Sequence, residues 1–275
     1  MNQSMISAAV TMGQLQHKLD TISNNMANST TNGYKRRETQ FSDLLFQQME
    51  SKELNPTEAG RLTPNGIRLG SGARVSSTAM SMETGTLQQT GRALDVALTE
   101  PGHYFTIGGT DNNGNPMPLY TRDGAFYLSP SAQNPGYLEL VTSEGNQVLG
   151  DEGPILIPED QNKITIGQNG QVSVTLNNGE VVESGRIGVV NMIRPQLMLA
   201  VGQNLQLPEG IPLNQLFEEV NGAAGNFVQQ GVLESSNVNI STEMTELIQT
   251  QRSYQFNARS LTIADQMMGL VNGLR

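Results

Sequence analysis

The chain is 275 residues long, room for one large or two modest domains, and its 36% apolar content allows a real core. It has no cysteine, which excludes disulfides, a thiolate nucleophile and any His/Cys zinc site. Its formal charge is −10, with 8 basic and 6 acidic residues in positions 1–75 against 8 and 20 in the remainder, so no dense cationic face for nucleic acid is expected.

The first predicted element is a helix over Met5–Met26. Stepping by threes and fours from Met5 reaches Ala8, Met12, Leu15, Leu19, Ile22 and Met26, all apolar, while the positions between are mostly polar. A stripe on a 3.5-residue repeat marks a helix that needs a partner helix along its length. Ala27–Tyr34 is rich in residues that bond their own backbone and contains Asn32-Gly33, so the helix is expected to stop there. Lys35-Arg36-Arg37 is the one basic cluster, read as a solvated or subunit-contact patch. Phe41–Met49 predicts a short apolar-faced turn or helix, and Glu50–Gly72, broken by proline and glycine, an extended linker.

From Arg74 the texture changes to short apolar segments between turn formers. Examples are Ala93–Leu98, Tyr104–Ile107, Tyr137–Val141, Ile155–Ile157, Lys163–Ile166, Gln171–Leu176 and Arg186–Met192, which predict an antiparallel β domain. After a connector over Pro208–Gly225, a second striped helix is expected from Ile240, capped by Ser241. Its stops are Ile240, Met244, Leu247, polar Gln251, Tyr254, Ala258 and Leu261, then a slip to Ala264, Met268 and Val271. The expected fold is α+β, with the N- and C-terminal helices pairing as a coiled-coil-like unit around an inserted antiparallel all-β domain. The divisions are 1–30 helix, 31–73 linker, 74–215 β domain and 216–275 connector and helix. Neither stripe buries itself, so the two ends are expected to become ordered only when subunits pack together.

Catalytic constellations are missing. His17 and His103 lie far apart and are expected at the surface. Asp111-x-Asn113-x-Asn115 opens like a calcium loop, but Pro116 takes the glycine position and Arg122 the acidic twelfth. Adjacent acids at Asp151-Glu152 and Glu159-Asp160 do not converge on one bond, and phosphate-loop and nucleophile-elbow motifs are absent. The chain is therefore not expected to be an enzyme, and no catalytic, cofactor-binding or metal residue is assigned. No stretch approaches about 18 uninterrupted apolar residues, so no membrane insertion is expected. The start shows no secretory signal, so export would follow a route without a cleaved signal peptide.

Leu19-Asp20-x-Ile22-Ser23-Asn24-Asn25-Met26-Ala27-Asn28, followed by Thr31-x-Gly33-Tyr34-Lys35, resembles the N-terminal signature of bacterial flagellar rod and hook proteins. Gly85–Gly91 with Leu94-Asp95-Val96-Ala97, Tyr120–Phe126 and Val148-Leu149-Gly150 are similar to that family's central blocks. Gln230-Gly231-x-Leu233-Glu234-x-Ser236-Asn237-Val238, Gln251-Arg252-x-Tyr254-x-x-Asn257 and Ala264-Asp265-x-Met267 resemble its closing signature. The resemblance, strongest to distal-rod members, implies a structural subunit of the basal body. It implies export by the flagellar type III apparatus, with a copy of itself and other rod and hook proteins as partners. The terminal helices would form a hollow tube that transmits torque from motor to hook. The motif positions carried over are Asn24, Asn25, Asn28, Gly33, Tyr34, Gln251, Arg252 and Asn257. Alternatives are a hook or hook-junction protein and a secreted carbohydrate-binding β-domain protein.

Overall fold

The computed structural model describes residues 2–43, 46–49, 67–70, 72–110, 116–151, 153–208, 216–219 and 225–273. They form two compact units, one of residues 1–26, 37–79 and 239–275, the other of residues 27–36 and 80–238.

The first unit holds helix α1 (Asn2–Ala27), helix α2 (Ile240–Gly273) and two strand pairs. Strand Arg37–Asp43 pairs with Ala73–Met80, and Phe46–Met49 pairs antiparallel with Ile67–Gly70. Phe41–Met49 is thus not a helix where it is described; Leu44 and Leu45 lie outside the described residues. Pairing with a partner strand distant in sequence overrides a weak local helical period. The stretch expected as linker holds these strands, while positions 50–66 lie outside the described residues.

Strand Ala73–Met80 lies along α1. At Gly72 (φ +107°) an added Cβ would come within 3.3 Å of the Ser7 carbonyl oxygen, and the Val75 N–H donates to Gln14 Oε1 at 2.7 Å. Farther along, Thr78 shares a cleft with Thr21 and Asn24. A strand rises about 3.3 Å per residue and a helix about 1.5 Å, so a few strand residues keep pace with two or three helical turns.

On α1 the expected stripe is the covered one: Ile22 is buried, and Met5, Ala8, Met12, Leu15, Leu19 and Met26 are half-buried. On α2 the register differs from expectation. The covered positions are Glu243, Leu247, Thr250, Tyr254, Asn257, Leu261, Ala264 and Met268, alternating steps of four and three without a slip. Ile240, Met244, Gln251 and Val271 are exposed, while Ala258 is half-buried. Polar residues take covered positions because each has a partner. Thr250 donates to the Glu246 carbonyl at 2.7 Å, Asn257 to the Ser253 carbonyl at 3.0 Å, and Glu243 accepts from Asn25 at 3.2 Å. The cap also differs: Asn239 Oδ1 accepts from the N–H groups of Ser241 and Thr242 at 3.0 and 3.4 Å. Ser241 is inside the helix.

The second unit is antiparallel throughout its paired strands. Its large sheet runs in the order Leu156–Pro158, Tyr137–Val141, Gln147–Gly150, His103–Thr110, Pro116–Thr121, Asn204–Gln206, Leu199–Val201. A three-stranded sheet follows the order Gln161–Ile166, Gln171–Leu176, Val181–Arg186. Between them lies a core that includes Phe105, Ile107, Phe126, Val148, Ile155, Ile157, Val172, Val174 and Ile187. Phe105 and Phe126 meet edge to face at 5.2 Å. Val228–Gln230 pairs with Val96–Leu98, and Val232–Glu234 with Leu87–Gln89, which seats the returning chain beside the outgoing one.

Candidate functional site

Within the β unit, the segment after α1 and the segment before α2 run together. Gly33 N–H donates to the Glu234 carbonyl at 2.8 Å, and Asn237 N–H to the Tyr34 carbonyl at 3.4 Å. Asn237 also accepts from the Arg36 N–H at 2.7 Å and donates to the Glu83 and Ser81 carbonyls at 2.9 and 3.3 Å. Gly33 has φ +67°, and a Cβ there would lie 2.6 Å from the Arg122 carbonyl carbon. Only glycine fits that backbone approach. The same holds at Gly85, where a Cβ would overlap the Ser235 carbonyl oxygen at 1.8 Å.

Beneath these strands is a buried ion cluster. Glu234 Oε1 accepts from Lys35 Nζ at 2.7 Å and from the Gly85 N–H at 2.8 Å, and Oε2 accepts from Arg122 Nε at 2.5 Å. Lys35 also donates to the Glu83 carbonyl at 2.8 Å, and Arg122 to the carbonyls of His103 and Leu98. All three side chains are almost fully buried. One carboxylate thus faces two cations. Burial pushes the Glu234 carboxyl upward, but Arg122, Lys35 and the Gly85 N–H together hold it below the usual range. Burial and then the Arg122 charge pull the Lys35 ammonium below its ordinary value, against Glu234. Tyr104, whose ring lies 6.0 Å from the Arg122 guanidinium, is pushed up to about 12 by burial. The cluster is a structural clasp, since every charge in it has a partner and all three side chains are almost fully buried.

A comparable clasp joins the helices. Asn25 donates to the Arg37 carbonyl at 2.9 Å and to Glu243 at 3.2 Å, and accepts from the Arg37 N–H at 3.0 Å. Lys18 pairs with Glu246 at 3.4 Å. The polar flank of α1 (Gln14, His17, Asp20, Thr21 and Asn24), with Arg37, Thr39, Val75 and Thr78, lines a cleft of about 590 Å³. No group of three His, Asp or Glu side chains among the described residues is placed to hold a metal ion.

Three protein-family signatures match. They are "Flagella basal body rod protein" at residues 5–35, "Flagellar hook protein FlgE/F/G D1 domain" at 101–174 and "Flagellar basal body rod FlgEFG protein C-terminal" at 229–274. The chain is 44% identical, over the whole of both chains, to the flagellar hook-basal body complex protein FlhP of Bacillus subtilis. It is 34% identical to the flagellar basal-body rod protein FlgG of Borreliella burgdorferi, covering all of this chain and 99% of that one. The FlgG of Bacillus subtilis is also 34% identical, over 98% of this chain and 97% of its own. The chain belongs to the flagellar basal-body rod protein family. It is a structural subunit of the flagellar rod.

The rod-family motif residues divide between the two clasps. Asn25 is central to the helical one, and Asn24 lines the cleft. Asn28 bonds Thr31 at the end of α1, and Gly33 and Tyr34 enter the β-unit clasp. Gln251 and Arg252 are exposed on α2, whereas Asn257 faces its covered side. Lys35, expected with Arg36 and Arg37 in a solvated or subunit-contact patch, is buried because Glu234 and the Glu83 carbonyl replace its water. His103, expected at the surface, is buried against Phe227, with ring centroids 5.9 Å apart. The Lys35–Glu234–Arg122 trio was not expected from sequence. Each of the three nevertheless falls in one of the blocks that resemble the rod family.

Proposed function

We propose that this rod subunit polymerises through α1 and α2 into a hollow shaft that carries torque, with the β unit held by the clasp at Glu234. In this reading the helices pair in a coiled-coil-like manner, gain their full order in the assembled shaft, and meet copies of the chain and other rod and hook proteins. The chain would reach the shaft through the flagellar type III apparatus, unfolded.

The observation that supports it is a second apolar row on α2. Phe256, Ile263, Met267 and Leu270 are 73, 56, 45 and 71% exposed and follow steps of seven, four and three along the helix. Burying four such side chains stabilises by about 6–12 kcal/mol at 1.5–3 kcal/mol each, a large return that a lone chain forgoes. A helix with covered positions on one side and an apolar row on another is suited to more than one neighbour.

Removing residues 1–28 or 241–275 should leave a folded β unit that no longer polymerises, read by circular dichroism and sedimentation. Polymerisation that survives either deletion would remove this reading. Phe256→Glu with Leu270→Glu should abolish polymer while leaving the thermal transition of the β unit in place.

A further inference from the structure

Two sheet edges in the β unit are open among the described residues, and they complement one another. Strand Leu199–Val201 ends the large sheet, paired with Asn204–Gln206 on one side, and all three of its residues are exposed. Leu199 is 53% exposed, and Ile193 and Leu197 just before it are also exposed. From Ile193 to Gln206 the only charge is Arg194. Such an edge lacks the lysine, inward charge or strand proline that blunts an open strand.

The second edge is Val181–Arg186, which ends the three-stranded sheet. Its register shifts opposite Val172 and Ser173, so Ser184 is a bulge residue, and Gly185 follows at φ +120°. The regular part is therefore Val181–Glu183, three residues long like Leu199–Val201. Val181 is 62% exposed and stands among exposed acids, Glu180 and Glu183 on its own hairpin. Glu159 and Asp160 are close by, because the Asn177 N–H donates to the Asp160 carbonyl at 3.1 Å. The first edge carries Arg194, with Glu144 at its hairpin accepting from Asn204 at 2.8 Å, while acids outnumber bases at the second, whose Arg186 is held by Asp151 at 3.5 Å. Both fall within residues 175–228, outside the three matched family stretches.

We propose that Leu199–Val201 of one copy pairs with Val181–Glu183 of the next, with Arg194 against the acids, as a head-to-tail contact between β units. The occupant is a second copy because the two edges match each other in length and apolarity, and Arg194 beside one suits the acids beside the other. They lie on different sheets, so the contact leaves one edge open at each end and propagates, unlike a self-complementary contact that closes on two copies. This rests on the polymerisation proposed above and adds a second, outer contact to it.

The cysteine-free chain makes the test direct. The full-length chain carrying Val181→Cys with Leu199→Cys, or Val181→Cys with Val201→Cys, is polymerised, oxidised and run on a denaturing gel. At least one pair should give a ladder of covalent oligomers, and no single-cysteine variant should do so. Arg194→Glu should lower ladder yield about fivefold, the weight of one exposed charge pair, and Glu180→Arg added to it should restore it. Polymer that forms without a ladder overturns the edge contact and leaves the helical reading standing. A cross-link from Leu199→Cys alone overturns the head-to-tail arrangement. Absence of any polymer from the unaltered chain overturns both readings.

Discussion

The two units solve the burial problem differently. In the β unit, Phe105, Phe126, Ile107, Val148 and Ile157 have essentially no exposed surface. In the helical unit, α1 keeps six of its seven stripe residues only half-covered, and the covered stripe of α2 includes Glu243, Thr250 and Asn257. A complete core specifies one packing and stands alone, whereas a half-covered stripe keeps part of its apolar surface for other molecules. The complete core of this chain lies in the β unit, and under the assembly proposed above the helices make the first contact between copies.

The sharpest way to break the contrast is Glu234→Ala, which strands two buried cations in the β unit. It should cost about 3–5 kcal/mol in urea unfolding. Asn25→Ala, in the polar clasp of the helical unit, should cost far less. Next, Phe105→Ala should cost about 3–5 kcal/mol of β-unit stability. Leu15→Ala, half-covered on α1, should leave that transition unmoved and weaken polymerisation instead.

Acid should also separate the units. Burial holds His103 below its ordinary 6.5, Glu100 opposing and Arg122 assisting. The unfolded chain therefore takes up that proton first, and β-unit stability should fall as pH drops from about 6.5. His103→Gln should flatten this slope. Glu234 has a lowered folded value, so its contribution is fully present above the unfolded value of 4.5 and lost as pH falls through the folded one. Smaller effects belong to the helices. Asn239→Ala should cost about 1 kcal/mol of α2 stability, read by helicity on melting. Lys18→Ala, which removes a partly exposed pair with Glu246, should cost less than about 1 kcal/mol, and only at low salt.

What sequence revealed of these units followed from how locally each feature is determined. The α1 stripe was legible because every covered stop is apolar. On α2 the apolar residues Ile240 and Met244 drew the register toward the exposed side, because burial of Glu243 depends on Asn25, 218 positions away. Gln171–Leu176 was legible to the residue, since Asn169-Gly170 and Asn177-Asn178-Gly179 bracket it. Arg186–Met192 was expected as one strand. It is divided, with Arg186 ending one strand and Val189 beginning the next, because Ile187 bridges to Gly150 and Gly188 bonds Leu149. Strand Pro116–Thr121 was not among the expected segments, and its two prolines stand opposite Thr110 and Gly108. The clasp at Glu234 joins residues whose partners are set by tertiary pairing alone, and no local pattern announces it.

Lys35 and Glu234 meet across 199 sequence positions. The polypeptide between them is a lasso pinched shut at its knot, so tension applied at one tail passes through the Tyr34 and Asn237 backbones into the other. The Gly33–Glu234 and Asn237–Tyr34 backbone bonds and the ion cluster beside them close that pinch together. A load between the two ends of that loop meets this pinch first.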